Sequence, residues 1–436
     1  MTLAASSPPV VDPSPPRSPR RTALVVVLIS GAAFALLAWW RVPWDAVPGG
    51  RLVPADAASH LSSAQIARAE SYSRWARVWS WGSLALSLAI AAWWGFSSIG
   101  RRVVDRLPGP RWVRSATAVV LTLLLGRVLT LPFAVALHLH MRHYGLTDQG
   151  WAGFARDVAV GEGVQIVATA IAVLALLACM RRWPRRWPAV AGSLLAALVM
   201  LGSFVYPVLI EPLSNHFTSL PDGELRTGIL RLAEIEHVHI DDVLVADASR
   251  RTTTLNAYVS GFGDTRRVVL YDTLVDDLDR REVLSVVAHE LTHARHDDVL
   301  TGSLLGACGA AFGVGLLGLV LGRRRRHEPI RPGEPGDHHE ICDPREVPRL
   351  LALFAVASFL ALPVQNTISR AIETRADVGA LEATHDPRAF IAMQEQLATH
   401  SLNDPTPPAL SQFWFGSHPT TLQRIALAER FESLDR

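Results

Sequence analysis

Seven apolar stretches, each long enough to cross a bilayer, constrain this 436-residue chain more than any other feature. A spanning helix needs about 20 mostly apolar residues, because hydrocarbon offers the backbone no hydrogen-bond partners. Ala23 to Trp40 is 18 residues without a charge. Arg41-Val42-Pro43-Trp44 follows in place of a small-residue cleavage site, so the stretch reads as a retained span and not a signal peptide. The others lie at roughly 78–99, 115–137, 163–180, 188–210, 299–322 and 348–368, and Pro363 is expected to kink the last. Trp39, Trp40, Trp79, Trp81, Trp93, Trp94, Trp183 and Trp187 mark several ends, as an interfacial aromatic belt does. Composition agrees: 49% of residues are hydrophobic and 19% charged, where soluble domains carry about 25% charge. Disorder, collagen and a disulfide scaffold are thereby excluded. Cys179, Cys308 and Cys342 are widely spaced and read as free thiols. A net charge of +2 gives no field suited to nucleic acid, which is not expected as a partner.

Between the spans the arginines are unevenly shared. The N-terminal tail and the 100–114, 181–187 and 323–347 loops carry three, five, four and six. The alternate loops, 41–77 and 138–162, carry five and two at similar combined length. The positive-inside rule therefore puts the N-terminus and the arginine-rich loops in the cytoplasm. The expected organisation is a Pro/Arg-rich disordered tail (1–21), five spans (22–210), a polar module (211–298), two spans joined by the 323–347 loop (299–368), and a C-terminal part of the module (369–436). Residues 221–237 show helical periodicity. Val243-Leu244-Val245 and Val268-Val269-Leu270 read as strands. The fold class is mainly α: a polytopic helical bundle of about seven spans with a small α+β module.

Within that module, His289-Glu290-Leu291-Thr292-His293 forms H-E-x-x-H in a run free of Gly and Pro. On a helix, residues four apart share a face, so His289 and His293 can reach one ion while Glu290 accepts a proton from metal-bound water. The same spacing on a surface helix would leave two solvated imidazoles. Catalytic zinc held by two histidines wants a third ligand, usually a carboxylate, and one open position. Glu373 is the candidate, with Asp377 one turn on and able to hold the far nitrogen of a ligand imidazole. A solvated helix face of mixed charge has the same spacing. Span parity favours the ligand reading: the His289/His293 helix runs into the sixth span and the Glu373 helix leaves the seventh, so both meet at one membrane face.

These blocks resemble the integral-membrane zinc peptidases of the type I CAAX prenyl endopeptidase group, which also includes the bacterial heat-shock membrane peptidase. The resemblance rests on His289-Glu290-Leu291-Thr292-His293; on Asn366, Ser369, Arg370, Glu373, Ala376 and Asp377; on Asn256-Ala257-Tyr258 with Gly261; on Tyr271-Asp272-Thr273-Leu274; and on Ser417-His418-Pro419-Thr420 with Arg424-Ile425. Leu220-Pro221-Asp222-Gly223-Glu224-Leu225 is similar to the start of the group's soluble module. The resemblance implies one Zn2+ per chain on His289, His293 and Glu373, a gluzincin-like module, Glu290 as general base and Asp377 behind a ligand histidine. It also implies that the Asn256-Ala257 strand pairs with extended substrate through its backbone. His418 and Arg424 are implied near the scissile carbonyl, holding its developing negative charge.

The expected activity is zinc-dependent endopeptidase cleavage of a peptide or membrane-protein substrate at the lipid bilayer, either CAAX-protease-like or in membrane-protein quality control. Two alternatives stay open: a sensor-type membrane metallopeptidase cleaving one regulator, and a non-enzymatic transporter or scaffold with a structural metal site. Asp337-His338-His339-Glu340 reads as a solvated loop, and His237 and His239 as structural. Arg127, inside the third span, should face a bundle interior or water, lining a substrate chamber or pairing with Glu162. The eukaryotic members imply a cytosolic active site, whereas the arginine bias puts this module on the extracytoplasmic side of the cell membrane. A reporter fused after Arg436 is therefore expected to score as extracytoplasmic, and cytoplasmic reporter activity would overturn that orientation.

Overall fold

The computed structural model describes residues 19–205, 216–250, 252–324 and 343–434. Residues 1–18 of the expected tail lie outside the described residues, as do 325–342 with Asp337-His338-His339-Glu340 and Cys342. The first helix begins at Arg20, inside the 1–21 expected for the tail.

The apolar stretches lie in long helices: α1 (Arg20–Arg41), α3 (Ser63–Phe96), α5 (Arg111–His143), α6 (Trp151–Arg182), α7 (Trp187–Val205), α11 (Asp298–Arg324) and α12 (Val347–Thr384). Short helices α2 (Ala57–His60) and α4 (Ser98–Asp105) flank α3. Six helices among the described residues are long and apolar enough to cross a membrane by themselves, and the α3–α4 pair, bent by 65°, brings the number to seven when counted as one span. Several helices run well past their apolar segments. Ser62 accepts from the Gln65 amide and the Gln65 side chain returns to Ser62, a capping box that starts α3 well before its apolar run. Helix α12 continues through Pro363 and carries Glu373 and Asp377 on the same rod. Outward faces are apolar, as lipid contact requires: Trp39 and Trp40 are each 76% exposed. Arg127 resolves to the paired alternative, its Nε donating to Glu162 Oε2 at 2.6 Å between α5 and α6.

Small residues let α11 lie against α1. A Cβ built on Gly315 would sit 2.8 Å from Val27 Cγ2 and 3.1 Å from the Val27 amide nitrogen; one on Gly318 would sit 2.8 Å from Ala23 Cβ. Among membrane helices, where lipid tails compete equally for apolar contact, such close backbone approach supplies much of the association energy.

The polar module is built on four strands: β1 (Phe217–Ser219), β2 (Asp242–Ala246), β3 (Ala257–Ser260) and β4 (Arg267–Tyr271), ordered β1-β2-β4-β3. The two strands read from the sequence are neighbours, β2 parallel to β4 with Val243 opposite Val268. β3 runs antiparallel to β4 and forms an edge. One face of the sheet packs Val243, Ala257, Val268 and Leu270 into the main core with α8 (Glu224–Ile235) and α10 (Arg280–Arg295). Helix α9 (Asp272–Asp277) precedes α10, and α13 (Pro387–Ser401), α14 (Ala409–Phe415) and α15 (Thr421–Leu434) complete the module. Helix α10 lies in the middle of this core, with Val283, Val287, Ala288 and Leu291 at 1% exposure or less.

Replacing Gly315 by Leu should wedge α1 from α11, overpacking that costs about 1–3 kcal/mol. The expected outcome is a lower unfolding temperature in detergent, measured by scanning calorimetry or dye binding.

Candidate active site

Helix α10 ends where Asp297 takes a left-handed φ of 52°, which turns the chain into α11. The turn leaves His289, Glu290 and His293 on the last two turns of α10, facing α12. What brings α12 close is the absence of a side chain: a Cβ on Gly379 would fall 2.4 Å from Thr292 Oγ1 and 2.5 Å from its Cγ2. Ala376 and Ala380, both fully buried, continue that small face.

Glu373 thereby meets the two histidines. His289 Nε2 lies 3.1 Å from His293 Nε2 and 3.2 Å from Glu373 Oε2, and His293 Nε2 lies 3.7 Å from Glu373 Oε1. The far ring nitrogens are taken. His289 Nδ1 is 2.9 Å from Asp377 Oδ1, and His293 Nδ1 is 2.9 Å from Asp298 Oδ2. A carboxylate at Nδ1 fixes the N–H there, so both Nε2 lone pairs point into the same gap. Glu373 Oε2 is buried without a hydrogen-bond partner. Two facing lone pairs and an orphaned carboxylate oxygen suit a cation. Ligand atoms about 2.0–2.2 Å from a tetrahedral ion sit roughly 3.3–3.5 Å apart, close to the separations seen. One ligand atom from each of His289, His293 and Glu373 lies within 4.8 Å of the others, the one such His/Cys/Asp/Glu group among the described residues.

Electrostatics point the same way. Burial opposes charge on the His289 imidazole, yet the Asp377 and Glu373 carboxylates outweigh it and push its pKa up to about 10. The pocket wants positive charge. Burial pushes the neighbouring Glu290 carboxyl up from its ordinary value, against the opposite pull of the two imidazoles.

The structure places the remaining expected residues as follows. Asp377 lies behind His289. Arg424, on α15, borders the cleft, but its Nε donates to Asp377 Oδ2 at 2.9 Å and its Nη2 to Oδ1, with its guanidinium carbon 5.9 Å from the Phe390 ring centroid. Its two shorter hydrogen bonds thus go to the carboxylate behind the histidine, while Nη2 also lies 3.4 Å from His289 Nδ1. His418 sits at the rim, its side chain 57% exposed, with Nε2 3.4 Å from Glu373 Oε2 and Nδ1 2.9 Å from Ser417 Oγ. Asn256 borders the cleft, and its carbonyl accepts from the Tyr271 amide at 3.0 Å. Alternation along an antiparallel strand then turns the N–H and C=O of Ala257 toward the open edge of β3.

Sequence reasoning missed Asp298 and Arg375, which donates to Asp298 Oδ1 from two residues beyond Glu373. The available signal was an acidic residue five positions after His293, where the motif helix turns into a span. It also missed the far wall of the cleft. That cleft, about 750 Å³, is floored by His289 and Glu290 and walled by α3 through Ser73, Arg77 and Trp81. Arg77 Nη1 meets Asp404 Oδ2 at 2.7 Å and ties α3 to the loop after α13.

Comparison with known proteins agrees with this geometry. Two family models match the chain: peptidase family M48 over residues 219–432, and the CAAX prenyl protease N-terminal module of five membrane helices over 49–216. The Bacillus subtilis (strain 168) protein described as uncharacterized metalloprotease YhfN is 28% identical over 383 residues, 87% of this chain and 89% of its own. The CAAX prenyl protease 1 homolog of Oryza sativa subsp. japonica is 27% identical over 305 residues, 66% of this chain and 67% of its own. The crystal structure of S. mikatae Ste24p shares the fold, with a TM-score of 0.75 at 20% identity over 96% of this chain and 100% of that one. Abutting matches from 49 to 432, a shared fold and a convergent His-His-Glu cluster lead to one conclusion: the chain is a multi-pass membrane metalloendopeptidase, its residues 219–432 matching peptidase family M48 and its residues 49–216 the membrane module of the CAAX prenyl proteases.

Proposed function

We propose that the ion is zinc, held by His289, His293 and Glu373, and that the enzyme cleaves extended peptide segments presented at the bilayer surface. The observation that carries this reading is the convergence of three ligand atoms, within 4.8 Å of one another, beside an open cleft. Two imidazoles and one carboxylate are a catalytic zinc donor set, which leaves a position for water. A structural site would be closed by a fourth ligand such as Cys. Among the described residues this cluster has three members and faces the cleft, which favours the enzyme over a transporter or scaffold.

When bound, the metal acidifies a water and polarises the scissile carbonyl. Glu290 takes the proton of the attacking water on its carboxylate and delivers it to the leaving nitrogen, a task suited to a carboxyl raised by burial. His418 Nε2, at the rim, donates to the carbonyl oxygen as charge develops there. Arg424 acts one step back, holding Asp377 against His289. The open edge at Ala257 pairs with the substrate backbone, next to Asn256. Domain limits follow the chemistry: membrane bundle to about residue 210, module at 211–298 and 369–436, and two spans between. We place the module on the extracytoplasmic side from the arginine bias. The relatives' names, CAAX prenyl protease, point to prenylated peptides as one substrate class, and segments of misfolded membrane proteins as handled in quality control are the other.

The decisive experiment compares wild type with Glu290→Gln for bound metal and for cleavage of casein and of a prenylated peptide. The variant should keep one metal per chain and lose about 10²–10⁴-fold in turnover; full activity would overturn the mechanism. Chelator should abolish wild-type cleavage and zinc restore it. Gly379→Val should force Thr292 aside and separate Glu373 from the histidines, lowering bound metal below one per chain by elemental analysis.

A further inference from the structure

Helix α1 ends at Arg41, before the residues that either family model matches. Its last two turns nevertheless lie against both supports of the metal cluster. Phe34, Leu37, Ala38 and Val42 pack with Leu305 of α11 and with Ile368, Ala371 and Ile372, the turn of α12 that leads into Glu373. Arg41 reaches further. Its Nε donates to Thr301 Oγ1 and its Nη2 to the His296 carbonyl, each at 3.1 Å. Those two acceptors bracket the α10–α11 junction, which contains the left-handed Asp297 and, next to it, Asp298. Thr301 is 2% exposed and its amide bonds back to the Asp297 carbonyl, so holding Thr301 holds the first turn of α11. Asp298 in turn grips His293 Nδ1 and is gripped by Arg375.

We propose that Arg41 is a positioning residue for the metal centre, and that α1 is a clamp whose C-terminal guanidinium fixes the α10–α11 junction and hence the Asp298–His293 pair. The logic is geometric. A junction with one left-handed residue is a hinge between the motif helix and a span. Asp298 orients His293 only as well as that hinge is held. Carboxylates behind ligand histidines commonly govern metal affinity by about 10–100-fold, and a group that fixes such a carboxylate should act on the same quantity. Packing elsewhere along α1 should not.

This proposal rests on the metal-centre reading, so its test reads the metal directly. Wild type, Arg41→Ala, Thr301→Val, Asp298→Asn and the packing control Gly315→Leu are compared in detergent for zinc affinity by chelator competition, for the absorption spectrum of the cobalt-substituted protein, and for unfolding temperature. Arg41→Ala should weaken zinc about tenfold and shift the cobalt bands in the same sense as Asp298→Asn. Thr301→Val, which removes one hydroxyl and little volume, should do so to a smaller degree and serves if Arg41→Ala folds poorly. Gly315→Leu should lower the unfolding temperature while leaving affinity and spectrum as in wild type. Unchanged affinity and spectrum in Arg41→Ala and Thr301→Val, with Asp298→Asn impaired, would overturn the clamp alone. Wild type that binds no stoichiometric zinc or cobalt would overturn the metal-centre reading and the clamp with it.

Discussion

Both helices that carry ligands are continuations of membrane spans, and the rest of the structure depends on that constraint. A bilayer accepts a backbone only as closed hydrogen-bonded rods, so a chain that leaves one face through α11 must cross again to return. It returns as α12, a single helix of 38 residues that is both a span and the bearer of Glu373 and Asp377. The imidazoles come from α10, just before the outward crossing. Close approach is then completed by what side chains lack, since Gly379 leaves room for Thr292 where any larger residue would hold the helices apart. Burying charge between such rods is expensive unless each charge has a partner. The site meets that requirement in layers: carboxylates behind imidazoles, and arginines behind carboxylates.

The sequence revealed what repeats along one element and hid what depends on two. His289, Glu290 and His293 are legible because helical periodicity is local. Glu373 became legible through parity, a long-range relation that hydropathy alone supplies. The strand pair at Val243 and Val268 was visible as apolar runs, but its parallel alignment and the edge position of β3 were not, because pairing is set by the tertiary fold. Asp298 escaped notice for the same reason: it grips His293 only because the chain turns at Asp297. Hydropathy located α3 from about residue 78. It could not show that the helix begins at Ser63, since the first turns are polar and their helicity comes from a capping box and from packing beside the module. For Arg424 the pairing with Asp377 was not legible, because α15 packs its guanidinium beside Phe390 and against a carboxylate on another helix.

The layered charges also explain why so polar a cluster is compatible with a buried position. Asp377 is 1% exposed and Asp298 8%. A buried carboxylate without partners would shed its charge by taking up a proton, and the imidazole it faces would lose its orientation. The Arg424 guanidinium, against the opposing effect of burial, holds the Asp377 carboxyl well below the usual carboxylate range, and Arg375 pairs with Asp298. The pairs contribute little to net stability after desolvation. Their value lies in keeping two rings turned inward.

One wall of the cleft is a membrane helix. Ser73 to Leu84 of α3 line it, and at 1.5 Å per residue that stretch measures about 16 Å, from the polar turns into the apolar run. The same rod that anchors the protein in lipid therefore doubles as a ruler. Under the function proposed above, the distance between Glu290 and the apolar run of α3 is set by the covalent length of that helix and not by the sequence of the chain the cleft receives.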